Sequence, residues 1–154
     1  MKTGIFYSSN SGNTLLVAEE IGRVLAAAGH EVALRSVSEA DAREARSFEL
    51  CLFGSPSWLR DGTQGELTQA WEDFAAGLRG GGQLTERNFA VFGLGRHEYT
   101  HFAGAVDHLE RLVKDLDGNL VVESLRFDGF PHHRLDEVRD WANQLAEALE
   151  KTPA

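Results

Sequence analysis

Short apolar runs alternate with longer amphipathic ones along the 154-residue chain, and this alternation limits the fold more than any single motif does. TGIFYS, EVALRSV, ELCLFG, NFAVFGLG and NLVVESLRFDG read as five strands, the last with a kink near Glu123–Ser124. Between and after them the apolar period lengthens to that of a helix. Val17, Ile21, Val24, Leu25 and Ala28 share one stripe from Asn13 to about Ala28, with Gly29 and His30 as its stop. Leu67, Ala70, Trp71, Phe74 and Leu78 make a second stripe starting from Glu66. Val106, Leu109, Val113 and Leu116 make a third, and Leu135, Val138, Trp141, Leu145 and Leu149 a fourth. A short polar helix fits around Asp41 to Arg46, and SPSWLRDGTQG and RGGGQLTE read as loops. ELCLFG is apolar throughout, as expected of a central parallel strand covered on both faces. The expected fold class is α/β: a five-stranded parallel sheet with helices on both faces, doubly wound. Residues 1–150 are expected to form one domain, followed by a short tail at 151–154.

Composition narrows the partners. Asp+Glu number 24 against 15 Lys+Arg, a formal net charge of −9, which opposes binding to nucleic acid or an anionic membrane. The single cysteine, Cys51, lies in an apolar strand and reads as a buried thiol. No apolar run approaches the roughly 20 residues that cross a bilayer, and MKTGIFY runs directly into a strand instead of a signal peptide. A soluble cytoplasmic protein is the expectation.

A doubly wound sheet places its ligand beyond the C-terminal ends of its strands. The three loops richest in glycine and hydroxyl residues follow strands one, three and four: SSNSGNT, SPSWLRDGTQG and GLGRHEYTHFAG. SSNSGNT sets hydroxyls, amides and a glycine against a helix N-terminus, where backbone N–H groups can wrap an anion. Ser9, Ser11 and Thr14 can each donate a hydroxyl hydrogen bond. It lacks the lysine of a nucleotide-triphosphate loop, so a monophosphate suits it better. Trp58 and Tyr99 stand in the other two loops and could sandwich a flat ring, although a lone loop tryptophan is more often core packing than a ligand platform. HEYTH also matches H-E-x-x-H, in which His97 and His101 would bind zinc and Glu98 would act as base. That motif follows a buried strand and a Gly-x-Gly turn, and no convincing third ligand can be named among His108, His132 and His133.

Taken together the three loops resemble those of short-chain flavodoxins, and the resemblance covers essentially the whole chain. SSNSGNT resembles the family's FMN phosphate loop, GSPSW its first flavin loop, and GLGRHEYTHFAGAVDHLE its second, including the stacking tyrosine. LRFDGFP resembles the family's ending of the fifth strand. The resemblance implies non-covalent FMN and one-electron transfer between redox enzymes, without catalysis by the chain itself. It implies phosphate contacts from Ser9, Asn10, Ser11, Gly12, Asn13 and Thr14. Pro56, Ser57, Trp58 and Leu59 would form the first flavin loop, with Ser57 near the ribityl chain and Trp58 over the inner flavin face. Tyr99 would cover the outer face, Gly93 would be a further cofactor-binding position, and the backbone of Leu94, Gly95 and Arg96 would approach the pyrimidine edge. Phe102 and Ala103 would line the pocket floor. His97 and His101 become rim residues.

Two positions depart from the family pattern. Arg96 stands where the family usually has an acid, with His97 and His101 beside it and Arg60 in the neighbouring loop. Positive charge there favours an anionic reduced flavin, so the lower one-electron potential is expected to be less negative than usual. Leu59 stands where the family commonly has glycine, and a Cβ makes a positive φ there cost roughly 1 kcal/mol or more. The half-reduced form is therefore expected to be less stabilised than usual. Expected partners are redox proteins with basic docking faces, such as reductases and ferredoxin-dependent enzymes, and the expected state is a monomer. Competing readings are an FMN-dependent quinone or small-molecule reductase of the same fold, and a specialised flavodoxin-like activator of one partner enzyme. A phosphorylated signalling domain would need an aspartate at the end of strand three, where this chain has Gly54-Ser55-Pro56.

Overall fold

A computed structural model of the chain describes residues 1–8, 12–56, 58–60, 63–66, 68–95, 104–128 and 131–151, with the backbone alone for 58–60 and 63–66. The chain runs β1 (Lys2–Tyr7), α1 (Asn13–Ala27), β2 (Glu31–Ser36), a 3-10 helix (Ala42–Ser47) and β3 (Leu50–Pro56). A hairpin of β4 (Trp58–Arg60) and β5 (Thr63–Glu66) leads to α2 (Gln69–Gly80) and β6 (Asn88–Gly95). Then come α3 (Gly104–Asp115), β7 (Asn119–Leu120), β8 (Leu125–Asp128) and α4 (Leu135–Glu150).

The main sheet is parallel, with strand order β2-β1-β3-β6 followed by β7 and β8, both of which pair with β6. From β1 the chain steps one way to β2 and then the other way to β3. The β1/β3 boundary is therefore the switch point of the sheet.

Alternation along the strands divides the core in two. Phe6, Phe53, Phe89 and Val91 point to one face and pack with Trp71 and Phe74 of α2 and Leu109 of α3. Ile5, Leu52, Ala90 and Phe92 point to the other and pack with Ile21 of α1 and Trp141 and Leu145 of α4. The first face is dominated by aromatic edges, with Phe6–Phe74 centroids 5.3 Å apart and Phe53–Trp71 centroids 5.1 Å apart. Such edge contacts add to the area buried.

Four expectations need correction. SPSWLRDGTQG is not a plain loop, because β4 and β5 pair antiparallel within it, Trp58 opposite Glu66 and Arg60 opposite Thr63. Asp-Gly at 61–62 joins the two strands, and this dipeptide is a hairpin signal. Helix α2 starts at Gln69 and not at Glu66, because Glu66 is taken up by β5 and Thr68 caps the helix, its Oγ1 accepting from the Trp71 N–H at 3.3 Å. Ala28 is exposed and does not join the buried stripe of α1, since the chain has already turned toward Gly29, at φ 98°. The fifth strand is split into β7 and β8. The kink falls at the expected place, where the Glu123 carbonyl leaves the ladder to accept from Trp141 Nε1 at 2.9 Å and Ser124 Oγ donates to Glu110 at 2.6 Å.

Candidate functional site

The C-terminal ends of β1, β3 and β6 lie side by side, and register fixes how they line up. Tyr7 pairs with Gly54, Ser55 with Gly93, and Pro56 with Leu94. The chain leaves the sheet beyond each of these ends. The sheet therefore brings Gly12–Thr14, Pro56 and Gly93–Gly95 to one end of the molecule, at and beside the switch point.

Helix α1 begins there in a way that suits an anion. Its N-cap is Gly12, at φ 85°, a left-handed conformation that a side chain would strain, and it makes no side-chain cap. The first turn carries no acidic residue to compete for the N–H groups that every helix leaves without intrahelical partners. Space around Gly12 is open, Asn13 is half-buried and Thr14 is buried. A phosphate monoester matches these donors and the positive end of the helix dipole.

Gly93 and Leu94 are buried and Gly95 is half-buried at the end of β6. A Cβ on Gly93 would meet Val106 Cγ2 at 2.5 Å, so this glycine lets α3 press against the strand end. Pro56 is half-buried at the end of β3. The backbone of Trp58 and Leu59 lies in β4. Ser9, Asn10, Ser11, Ser57, Arg96, Tyr99, Phe102 and Ala103 lie outside the described residues, as do His97, Glu98 and His101.

Three residues at these strand ends, Ser8, Ser55 and Trp71, were not named as candidate site residues in the sequence. Trp71 Nε1 donates to the Gly54 carbonyl at 2.8 Å, and Ser8 Oγ donates to Ser55 Oγ at 3.3 Å. Their signal was a polar side chain at the end of an apolar strand, and an indole whose N–H needs a buried partner.

Charge around this end is partly paired within the chain. Arg126 of β8 lies 2.6 Å from Asp107 and 3.6 Å from Glu110 of α3. Arg134 packs on the Phe127 ring, donates to the Asp128 carbonyl and pairs with Glu137 at 2.5 Å. The hydrogen bond from Arg134 holds the Glu137 carboxyl below the usual carboxylate range. Cys51 is the buried thiol expected, pushed by burial up to about 12, and it takes no part in the site.

A helix that starts from a left-handed glycine at the switch point of a parallel sheet, beside the C-terminal ends of β3 and β6, is the arrangement of an α/β protein of the doubly wound class. The sequence model of the flavodoxin family matches residues 5–150. A flavodoxin of Nitratidesulfovibrio vulgaris is 37% identical over 150 residues, covering 94% of this chain and 97% of its own. A flavodoxin of Maridesulfovibrio salexigens is 28% identical over 149 residues, covering 96% and 99%. The crystal structure of oxidised flavodoxin 2 from Bacillus cereus superposes with a TM-score of 0.84 at 33% identity, covering 99% of this chain and all of that one. The chain belongs to the flavodoxin family. Flavodoxins are FMN-binding electron carriers, and the family is itself a standard instance of ligand binding at a β1/β3 switch point. The donor set at α1 fits the phosphate of FMN, and FMN held there would supply the one-electron chemistry. Among the described residues no helix is long and apolar enough to cross a membrane.

Proposed function

We propose that residues 1–150 form a single electron-carrying unit which holds FMN across the ends of β1, β3 and β6 and passes electrons between redox proteins without catalysing a reaction of its own. The phosphate is assigned to Ser9, Asn10, Ser11, Gly12, Asn13 and Thr14, and the ring to the space between Trp58 and Tyr99. Pro56, Ser57 and Leu59 border the ring on one side, and Gly93, Leu94, Gly95, Arg96, Phe102 and Ala103 on the other. The observation that carries this assignment is the start of α1, with a left-handed glycine and no acid in its first turn, at the sheet's switch point.

A monomer acting in the cytoplasm is the form this reading favours. Its net charge of −9 favours partners with basic docking faces, which steer toward an acidic carrier. Stepwise reduction of the purified protein without oxygen, followed by absorption, tests the proposal. Flavin bands that bleach in one-electron stages, with no turnover of added quinone, support it. A colourless protein that takes up no FMN overturns the cofactor assignment, and rapid quinone reduction by an oligomer points instead to a reductase.

A further inference from the structure

We infer that Ser8, Ser55 and Trp71 act together as positioning residues that set the spacing between the phosphate side and the ring side of the FMN site. The inference rests on the placement of FMN proposed above. It starts from one run of buried hydrogen bonds across the ends of β1 and β3. The Gly54 carbonyl accepts from the Ser8 N–H at 3.1 Å and from Trp71 Nε1–H at 2.8 Å, which uses both of its lone pairs. One step further along, Ser8 Oγ donates to Ser55 Oγ at 3.3 Å, and Ser55 Oγ donates to the Pro56 carbonyl at 2.8 Å. Ser55 has a single hydroxyl proton and gives it to Pro56, so the direction of the run is fixed.

Each member stands where a site loop leaves the scaffold. Ser8 is the last residue before 9–11, Pro56 the last before 57, and Trp71 lies in the first turn of α2, where the chain returns from the hairpin. The segment that carries Trp58 is thus tied at both of its roots, and one root is tied to the phosphate loop. Ser55 and Trp71 are 0% exposed and Ser8 is 5% exposed, so a lost partner leaves a buried polar group in need of another. Among the described residues no buried side-chain polar atom is left without a partner, and this run is why the strand ends obey that rule. The bond from Ser55 ties the Pro56 carbonyl to the end of β3, beside the register pairing of Pro56 with Leu94.

The test compares wild type with Ser8→Ala, Ser55→Ala, the double variant and Trp71→Phe. The readouts are FMN dissociation constants from flavin fluorescence, the lower one-electron potential, and thermal midpoints. Each single variant is expected to bind FMN about fivefold more weakly, the scale of one hydrogen bond, with the double variant no worse than the weaker single one. If the loss falls unequally on the redox states, a fivefold difference reads as roughly 40 mV. Variants with lowered midpoints but wild-type affinity and potential would make the run merely structural and overturn the inference. Should Ser55→Ala not fold, Ser8→Ala and Trp71→Phe decide the matter, because each removes one donor and leaves the Ser55–Pro56 bond in place. Wild-type protein that fails to bind FMN in the same titration strikes the site assignment itself.

Discussion

The Phe92 ring fills the space that a Cβ on Gly54 would need, and the two residues are direct register partners on β6 and β3. Phe92 is 0% exposed and packs toward Trp141, with ring centroids 6.5 Å apart, so it has little room to retreat. Gly54→Ala is therefore an overpacking change in a central strand and should destabilise the protein by about 1–3 kcal/mol. Urea unfolding of the variant should show a lower midpoint with an unchanged slope. An unchanged midpoint would mean that the ring moves aside freely.

Glu20 joins α1 to α4. Its side chain is 9% exposed and lies 2.5 Å from Arg23 and 3.1 Å from Arg139. Burial alone would raise its pKa, but the hydrogen bonds from Arg139 and Arg23 outweigh burial and lower it below 4.5. Both arginines are about half exposed or more, which limits the cost of breaking the triad, so Glu20→Gln should lose about 1–2 kcal/mol at neutral pH. The contribution is complete above pH 4.5 and is lost as pH falls through the depressed folded-state pKa. The gap in unfolding free energy between wild type and variant should close in acid. A gap that persists there would assign the effect to packing.

At the opposite end of the sheet, the Met1 ammonium lies 3.3 Å from His30 Nδ1. Burial first and the ammonium second lower the His30 pKa from 6.5, while Glu150 works weakly the other way. The unfolded chain therefore binds more protons than the folded one between the two pKa values. Stability from a neutral His30 is complete above pH 6.5 and declines as pH falls below it. His30→Gln should lower the pH dependence of the urea midpoint between about pH 5 and 7, where an unperturbed histidine titrates. Identical slopes for variant and wild type would exclude His30 as a source.

Legibility followed the range of the interactions. The four helices and the main strands were readable because each buries a stripe whose period is local, such as Val138, Trp141, Leu145 and Leu149. The hairpin was not read, although Asp61-Gly62 announced it, because WLR and TQGE lack the apolar alternation that marks strands. The break at 121–124 was visible as Glu123-Ser124 in an apolar run, but its cause is Trp141, which is 18 residues away in sequence. The proposed site was read from loops in which glycine and hydroxyl residues cluster. Its scaffolding was not, because Ser8, Ser55 and Trp71 meet only once β1 and β3 are paired.

Arg96 gives the sharpest test of charge at the flavin, and it stands directly after Gly95, the last residue of β6. In the proposed placement of FMN, an electron added to the flavin builds negative charge beside the β6 end. A guanidinium nearby stabilises that charge and a carboxylate opposes it. Arg96→Asp changes the local charge by two units and should make the lower one-electron potential more negative by on the order of 60 mV, one decade in the equilibrium constant. Raising the ionic strength should shrink the shift if the two charges meet through solvent. Equal potentials for variant and wild type at low salt would show that the side chain turns away from the flavin, and Arg96 would then have no part in setting the potential.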